Sequence, residues 1–281
     1  MPDAWSELTI DGGDRRLDHD LLGLEHEGPG EAGFDQTAPL ARFDGRLFGG
    51  TAIAVAVALA EVETARPALW TTVQFVAGDT SIGDRFTCTT EVLAEGRSAA
   101  QVRVTARVDG REIFCALGAT AHRKEGRIEA AFEPFPSVPA PEECAPFLIP
   151  IPDAMRARAA SGTLRNIEMR NAPPQPGSPT PRNHLTLWVR VPGRPATPAV
   201  IAYLADMVPL SIARAADRAG GGSSIDNTMR YAGATADEWI LLELDPHLAS
   251  GGYGHGSVLV WSPDGRLLAS GGQTASLLLF D

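Results

Sequence analysis

With 281 residues, 44% of them hydrophobic and 21% charged, the chain can bury one large core or two of ordinary size, and its composition is not that of a disordered protein. A formal net charge of -11 without any basic stripe argues against a nucleic-acid backbone as partner, because nothing is placed to displace the counterions. Cys88, Cys115 and Cys144 are odd in number and lack CxxC spacing, which fits a reducing cytoplasm better than a disulfide framework or a zinc site. The N-terminus lacks the basic start and apolar core of a signal peptide, and no run approaches the roughly 18 uncharged apolar residues that span a membrane.

Residues 1–45 are polar, with glycine-rich turns around Gly28, Gly30 and Gly33, and Leu21–Leu24 reads as a short strand. Gly49 and Gly50 then open a helix to about Ala65, ended by Pro67, whose Ala and Val content implies burial on nearly all sides. Strand patterns follow at Leu69–Val76, Arg85–Leu93, Ala99–Val108 and Glu112–His122, the last two joined by the hairpin signal Asp109-Gly110. Residues 124–196 are rich in proline, and Phe132, Phe135, Phe147, Leu148 and Ile149 are expected to anchor them as an ordered connection. Within that stretch His184–Val191 reads as a strand.

The pattern then restarts. A helix from about Thr197 to Ala219 precedes strands at Ser224–Tyr231, Trp239–Leu248, Tyr253–Trp261 and Arg266–Leu279, with a second Asp-Gly turn at Asp264-Gly265. A helix followed by a run of strands, twice over, implies an α+β fold in which each curved antiparallel sheet wraps its helix. Joining the two sheets edge to edge leaves fewer edges open.

Asp206 is the anomaly of the second helix. Its neighbours three and four residues away are Ala202, Tyr203, Pro209 and Leu210, so no cation on the same helix pairs with it, and burying it alone is costly. Pro209 is expected to kink the helix beside it. Gln273 stands between glycines and an apolar tail. At the start of the first helix, Gly49 and Gly50 offer free N–H groups able to polarise a carbonyl, which makes them candidate substrate-binding residues. The six histidines are scattered without i,i+4 pairs, so no metal site is expected.

The segments LFGGTAIAVAVALAEVE, EVLAEGRSAAQVRVTARVDGREIFCALGA, AYLADMVPL, SSIDNTMRY, DEWILLEL and DGRLLASGGQ, in this order, resemble the acyl-CoA thioesterase II family, the double hot-dog thioesterases. The resemblance covers nearly the whole chain and is weakest in the proline-rich middle. It implies a double hot-dog, with halves at residues 1–125 and 181–281 and a connection at 126–180. It also implies that an Asp, a hydroxyl and a Gln orient a water against a thioester carbonyl, and by motif these are Asp206, Ser224 and Gln273. Asn227 departs from the family, which usually has His there, and LWTTVQF replaces a stretch containing His-Ser. The expected substrate is an acyl-CoA, with no metal or redox cofactor and with assembly into a homo-oligomer. Two other readings stay open: a non-catalytic acyl-thioester-binding or subunit-pairing protein, and a hot-dog enoyl-CoA hydratase.

Overall fold

The computed structural model of the chain describes residues 9–10, 13–124, 127–149, 151–153, 156–157, 161–178, 180–181, 183–233 and 235–280. In the first half a small ribbon of β1 (Thr9–Ile10) and β2 (Gly13–Asp14) leads to α1 (Arg16–Leu22), β3 (Glu25–Gly28) and β4 (Glu31–Asp35). Then come α2 (Gly49–Thr64), β5 (Ala68–Phe75), β6 (Arg85–Glu95), β7 (Ala99–Val108) and β8 (Arg111–Ala121). The second half holds β9 (Glu168–Asn171), β10 (Leu185–Arg190), α3 (Pro198–Ala205), α4 (Val208–Ala215), β11 (Ala219–Tyr231), β12 (Ile240–Ser250), β13 (Tyr253–Trp261) and β14 (Leu267–Phe280).

Among the described residues, twelve strands form one antiparallel sheet in the order β3-β4-β6-β7-β8-β5-β11-β14-β13-β12-β10-β9. The order reads the same outward from the seam in both halves, as expected of a repeat joined edge to edge. At that seam Val73 of β5 lies opposite Asn227 of β11, and the Thr228 hydroxyl donates to that of Thr72 at 2.6 Å. Asp109 and Gly110 both adopt positive φ, 49° and 78°, the twist that a tight hairpin requires.

The sheet curls around α2 and α3, which pack on each other. Gly50 permits the close crossing, since a Cβ there would lie 2.3 Å from the Tyr203 carbonyl oxygen. The start of α2 thus meets the end of α3. Nearly every residue of α2 is buried, as its Ala/Val composition implies. Pro198–Ala215 does meet the length and composition of a membrane span, contrary to the sequence expectation, but 89% of it is buried within the protein.

Three further expectations are corrected. Leu21–Leu24 is not a strand: Leu21 and Leu22 end α1, where Gly23 caps the helix in the left-handed conformation. The helix predicted to reach Ala219 stops at Ala215, and β11 already begins at Ala219. Of the connection's expected anchors, Phe135, Phe147 and Ile149 pack on core residues, whereas Phe132 and Leu148 are exposed. Under the connection, Phe135 sets its ring against Trp261, and the Trp188 indole donates to the Pro139 carbonyl at 2.8 Å.

Neither edge of the large sheet is a bare template for another chain. β3 is short, bulged and carries Glu25 and Glu27, while a β-bridge from Pro146 to Arg170 covers part of β9.

At the far end of the helix pair, α1 and the segment before it tie the halves together through buried polar groups. Arg15 Nε donates to Glu61 Oε2 at 2.8 Å, and Thr197, the N-cap of α3, donates to Asp18 Oδ1 at 2.9 Å. Burial, only partly opposed by the Thr197 bond and by Arg15, pushes the Asp18 carboxyl up to about 7 from 3.8. A pKa raised by folding means that this group's contribution is whole below about pH 4 and lost as the pH rises through 7. Asp18→Asn keeps an acceptor for Thr197 and removes the charge. We expect it to raise stability at pH 8 by on the order of 2 kcal/mol and to change it little at pH 4, as read from urea unfolding at both values.

Candidate active site

Asp206 ends α3 as its C-cap, with φ −75° and ψ 53°, and Met207 precedes α4 at φ −126° and ψ 7°. Pro209 sits in the first turn of α4, where its missing N–H costs nothing. The kink expected at Pro209 is therefore a full break just before it, and the acid occupies the break. Asp206 is 8% exposed.

Partners arrive from β11 and β14. Gln273 Nε2 donates to Asp206 Oδ1 at 2.6 Å and to Ser224 Oγ at 2.8 Å. Ser224 Oγ donates to the same Oδ1 at 3.3 Å, and Asn227 Nδ2 donates to it at 2.9 Å. The structure thus brings Asp206, Ser224 and Gln273 into mutual contact. It adds Asn227, noted in the sequence only as a departure from the resemblance. All three side-chain donors meet Oδ1, while Oδ2 lies over Gly49, where a Cβ would be 2.5 Å from Oδ2 and 2.6 Å from Ser224 Oγ.

The convergence depends on a β-bulge. Ser224 pairs with Ala275 and Asp226 with Thr274, leaving Ile225 as an extra residue on the exposed side of β11. Strand alternation puts residues three apart on opposite faces; the bulge reverses that parity, so Ser224 and Asn227 both point inward. Asn227 and Gln273 are direct cross-strand partners, 3% and 1% exposed.

Burial raises the Asp206 carboxyl to about 6, against the opposing hydrogen bonds of Asn227 and Ser224, the Gly50 backbone N–H and the charge of Arg42. The start of α2 at Gly49 and Gly50 thus lies against the acid. Gly49 lines a separate small opening beside Ser224. Gln273 Oε1 is buried without a hydrogen-bond partner. Its orientation is dictated by the network, because exchanging O and N would set two acceptors against each other at Asp206.

Two openings meet at Ser224. One is a cavity of about 130 Å³ with mainly apolar walls, including Phe48, Leu164, Ile167, Met207 and Leu210, and with Asp206 and Gln273 in its lining. The other, about 90 Å³, is bordered by Arg42, Arg46, Gly49 and Ser223. Arg42 lines both; it pairs with Asp44 and crosses to the second half by donating to the Gly222 carbonyl at 2.8 Å and to Ser223 Oγ at 2.7 Å.

Residues 38–123 match the pattern of the acyl-CoA thioesterase N-terminal domain, and residues 141–277 that of the acyl-CoA thioesterase C-terminal domain. A Novosphingobium aromaticivorans protein, a thioesterase by provisional assignment, is 33% identical over 92% of this chain and 98% of its own, with a TM-score of 0.80. A hot-dog protein of unknown function from Alicyclobacillus acidocaldarius shares the fold at 22% identity, 94% and 98% coverage and a TM-score of 0.76. So does acyl-CoA thioesterase II TesB2 from Mycobacterium marinum, at 19% identity, 94% and 99% coverage and a TM-score of 0.70. No curated protein matches the chain. Two family domains in the family's order and a 33% identical relative along nearly the whole length agree, and the chain belongs to the acyl-CoA thioesterase family, with its double hot-dog fold.

Proposed function

We propose that the protein hydrolyses acyl-CoA thioesters to free acid and CoA through a water held between Asp206 and Gln273. Family membership supports thioesterase activity in general. The observation that carries the finer reading is a carboxylate with one oxygen saturated by three side-chain donors, beside an orphaned amide oxygen in the same cavity.

A water donating one hydrogen to Asp206 Oδ2 and the other to Gln273 Oε1 satisfies the orphan and directs a lone pair at the carbonyl carbon. With its pKa near 6, Asp206 is mostly ionised at neutral pH yet basic enough to take the proton as the C–O bond forms. The tetrahedral intermediate collapses with C–S cleavage, and the leaving thiolate takes the proton from Asp206, which returns to its ionised form. Gly49, at the start of α2, supplies a backbone N–H for the developing oxyanion. The apolar cavity takes the acyl chain, each buried methylene contributing about 0.8 kcal/mol. The opening lined by Arg42 and Arg46 takes the phosphates of CoA.

The test is thiol release from short, medium and long acyl-CoAs. Wild type is expected to turn over at least one class, and Ser224→Ala and Gln273→Ala each to lower kcat by roughly ten- to a hundredfold. Absence of thiol release from every acyl-CoA in the panel would sink the reading.

A further inference from the structure

We infer that Asn227 is a fourth, positioning member of this site, holding the Asp206 carboxylate in its reactive ionised form and orientation. The inference rests on the thioesterase reading for its kinetic consequence, but not for its physical basis.

Three observations carry it. Asn227 Nδ2 donates to Asp206 Oδ1 at 2.9 Å in a buried setting, where a donor to an anion is worth more than at a surface. Standing three residues from Ser224, it shares the inward face with that hydroxyl through the bulge at Ile225, a local distortion that re-aims a side chain. It also lies directly across from Gln273, so the two amides reach the same oxygen from adjacent strands and fix the carboxylate plane between them. With Oδ1 filled from β11 and β14, the lone pairs available to a water are those of Oδ2.

Few other groups compete for control of this acid. From the segment before α2, Arg42 faces it; α2 contributes only the Gly49–Gly50 backbone; β14 contributes Gln273; β11 contributes Ser224 and Asn227. Asp206 is the one carboxyl among these groups. The acid limb of the pH–rate profile therefore reports Asp206 ionisation, and Asn227, which favours the anion, sets where that limb falls.

Asn227→Leu keeps the γ-branch and removes the donor; Asn227→Asp keeps the shape and replaces the donor with a second acid. In Asn227→Leu Asp206 ionises less readily, and in Asn227→Asp the two carboxyls titrate as a coupled pair whose second step is raised, so the acid limb of kcat/KM, which needs Asp206 ionised, moves to higher pH by about one pH unit or more. For Asn227→Leu the expected loss is about tenfold at pH 6, shrinking to about threefold or less at pH 8.5, where Asp206 ionises regardless. A purely structural role would cut activity equally across the range. Carbon-13 NMR titration of the carboxyl groups, with the Asp206 signal assigned by its disappearance in Asp206→Asn, reads the same midpoint without any substrate. A midpoint that moves up supports the inference even if no acyl-CoA is hydrolysed, in which case only the thioesterase reading falls. A midpoint unmoved in both variants, or a loss of activity uniform in pH, overturns it.

Discussion

Asp206→Asn is expected to lower kcat for thiol release by about a hundredfold or more while leaving the protein folded. The substitution preserves an oxygen for the donors of Ser224, Asn227 and Gln273, so the network around Oδ1 can persist. It removes the one group able to accept a proton from water. KM should change little, because the apolar walls that bind the acyl chain are untouched. In wild type kcat/KM should fall as the pH drops through about 6, the value to which burial raises this carboxyl. In the variant that limb should vanish from whatever activity is left. Unchanged turnover would remove Asp206 from the chemistry while leaving the reaction itself in place.

The second large effect concerns stability. Glu61→Ala is expected to cost roughly 3–5 kcal/mol, measured by urea or thermal unfolding. Glu61 is 0% exposed and holds two donors, Arg15 Nε at 2.8 Å and the Ala68 backbone N–H at 2.8 Å. Truncating it strands a buried guanidinium and a buried amide at the join between α1, α2 and β5. The pair itself need not be strongly stabilising, since burial raises the Glu61 pKa despite Arg15 beside it. A double variant, Arg15→Met with Glu61→Leu, should therefore recover most of the loss, apart from the share owed to the Ala68 amide. A double variant as unstable as Glu61→Ala would show that the pair stabilises in its own right.

These two acids mark what was legible in the sequence and what was not. The helix at Gly49 could be read because small apolar residues without a break have few other uses, and the hairpin at Asp109-Gly110 because few residues accept its backbone angles. Asp206 could be read as an anomaly because a lone acid in an apolar helix needs distant partners. Pro209 announced a kink beside it, but not that the kink is a full break, which depends on how α3 and α4 pack. β3 went unread because Glu25-His26-Glu27 sits at an exposed edge, where no apolar period is required. Asn227 was missed for a reason of counting: regular alternation from Ser224 points Asp226 inward and Asn227 outward, and nothing in SSIDN announces the bulge. Gly50 could be read as a helix-start amide, but the closeness of Asp206 to it could not, since that is set by tertiary contact.

The extra residue at Ile225 also bears on how relatives should be lined up. Because it stands opposite no residue of β14 on its own, removing it would leave Ser224 across from Ala275 and Asp226 across from Thr274. Hydroxyl and amide would still share the inner face, two positions apart instead of three. A relative lacking one residue here can therefore carry the same site, and a gap at this point in an alignment is no sign of a lost one. Sliding the two sequences to close that gap would instead match inward residues with outward ones, concealing a shared site behind an apparent substitution.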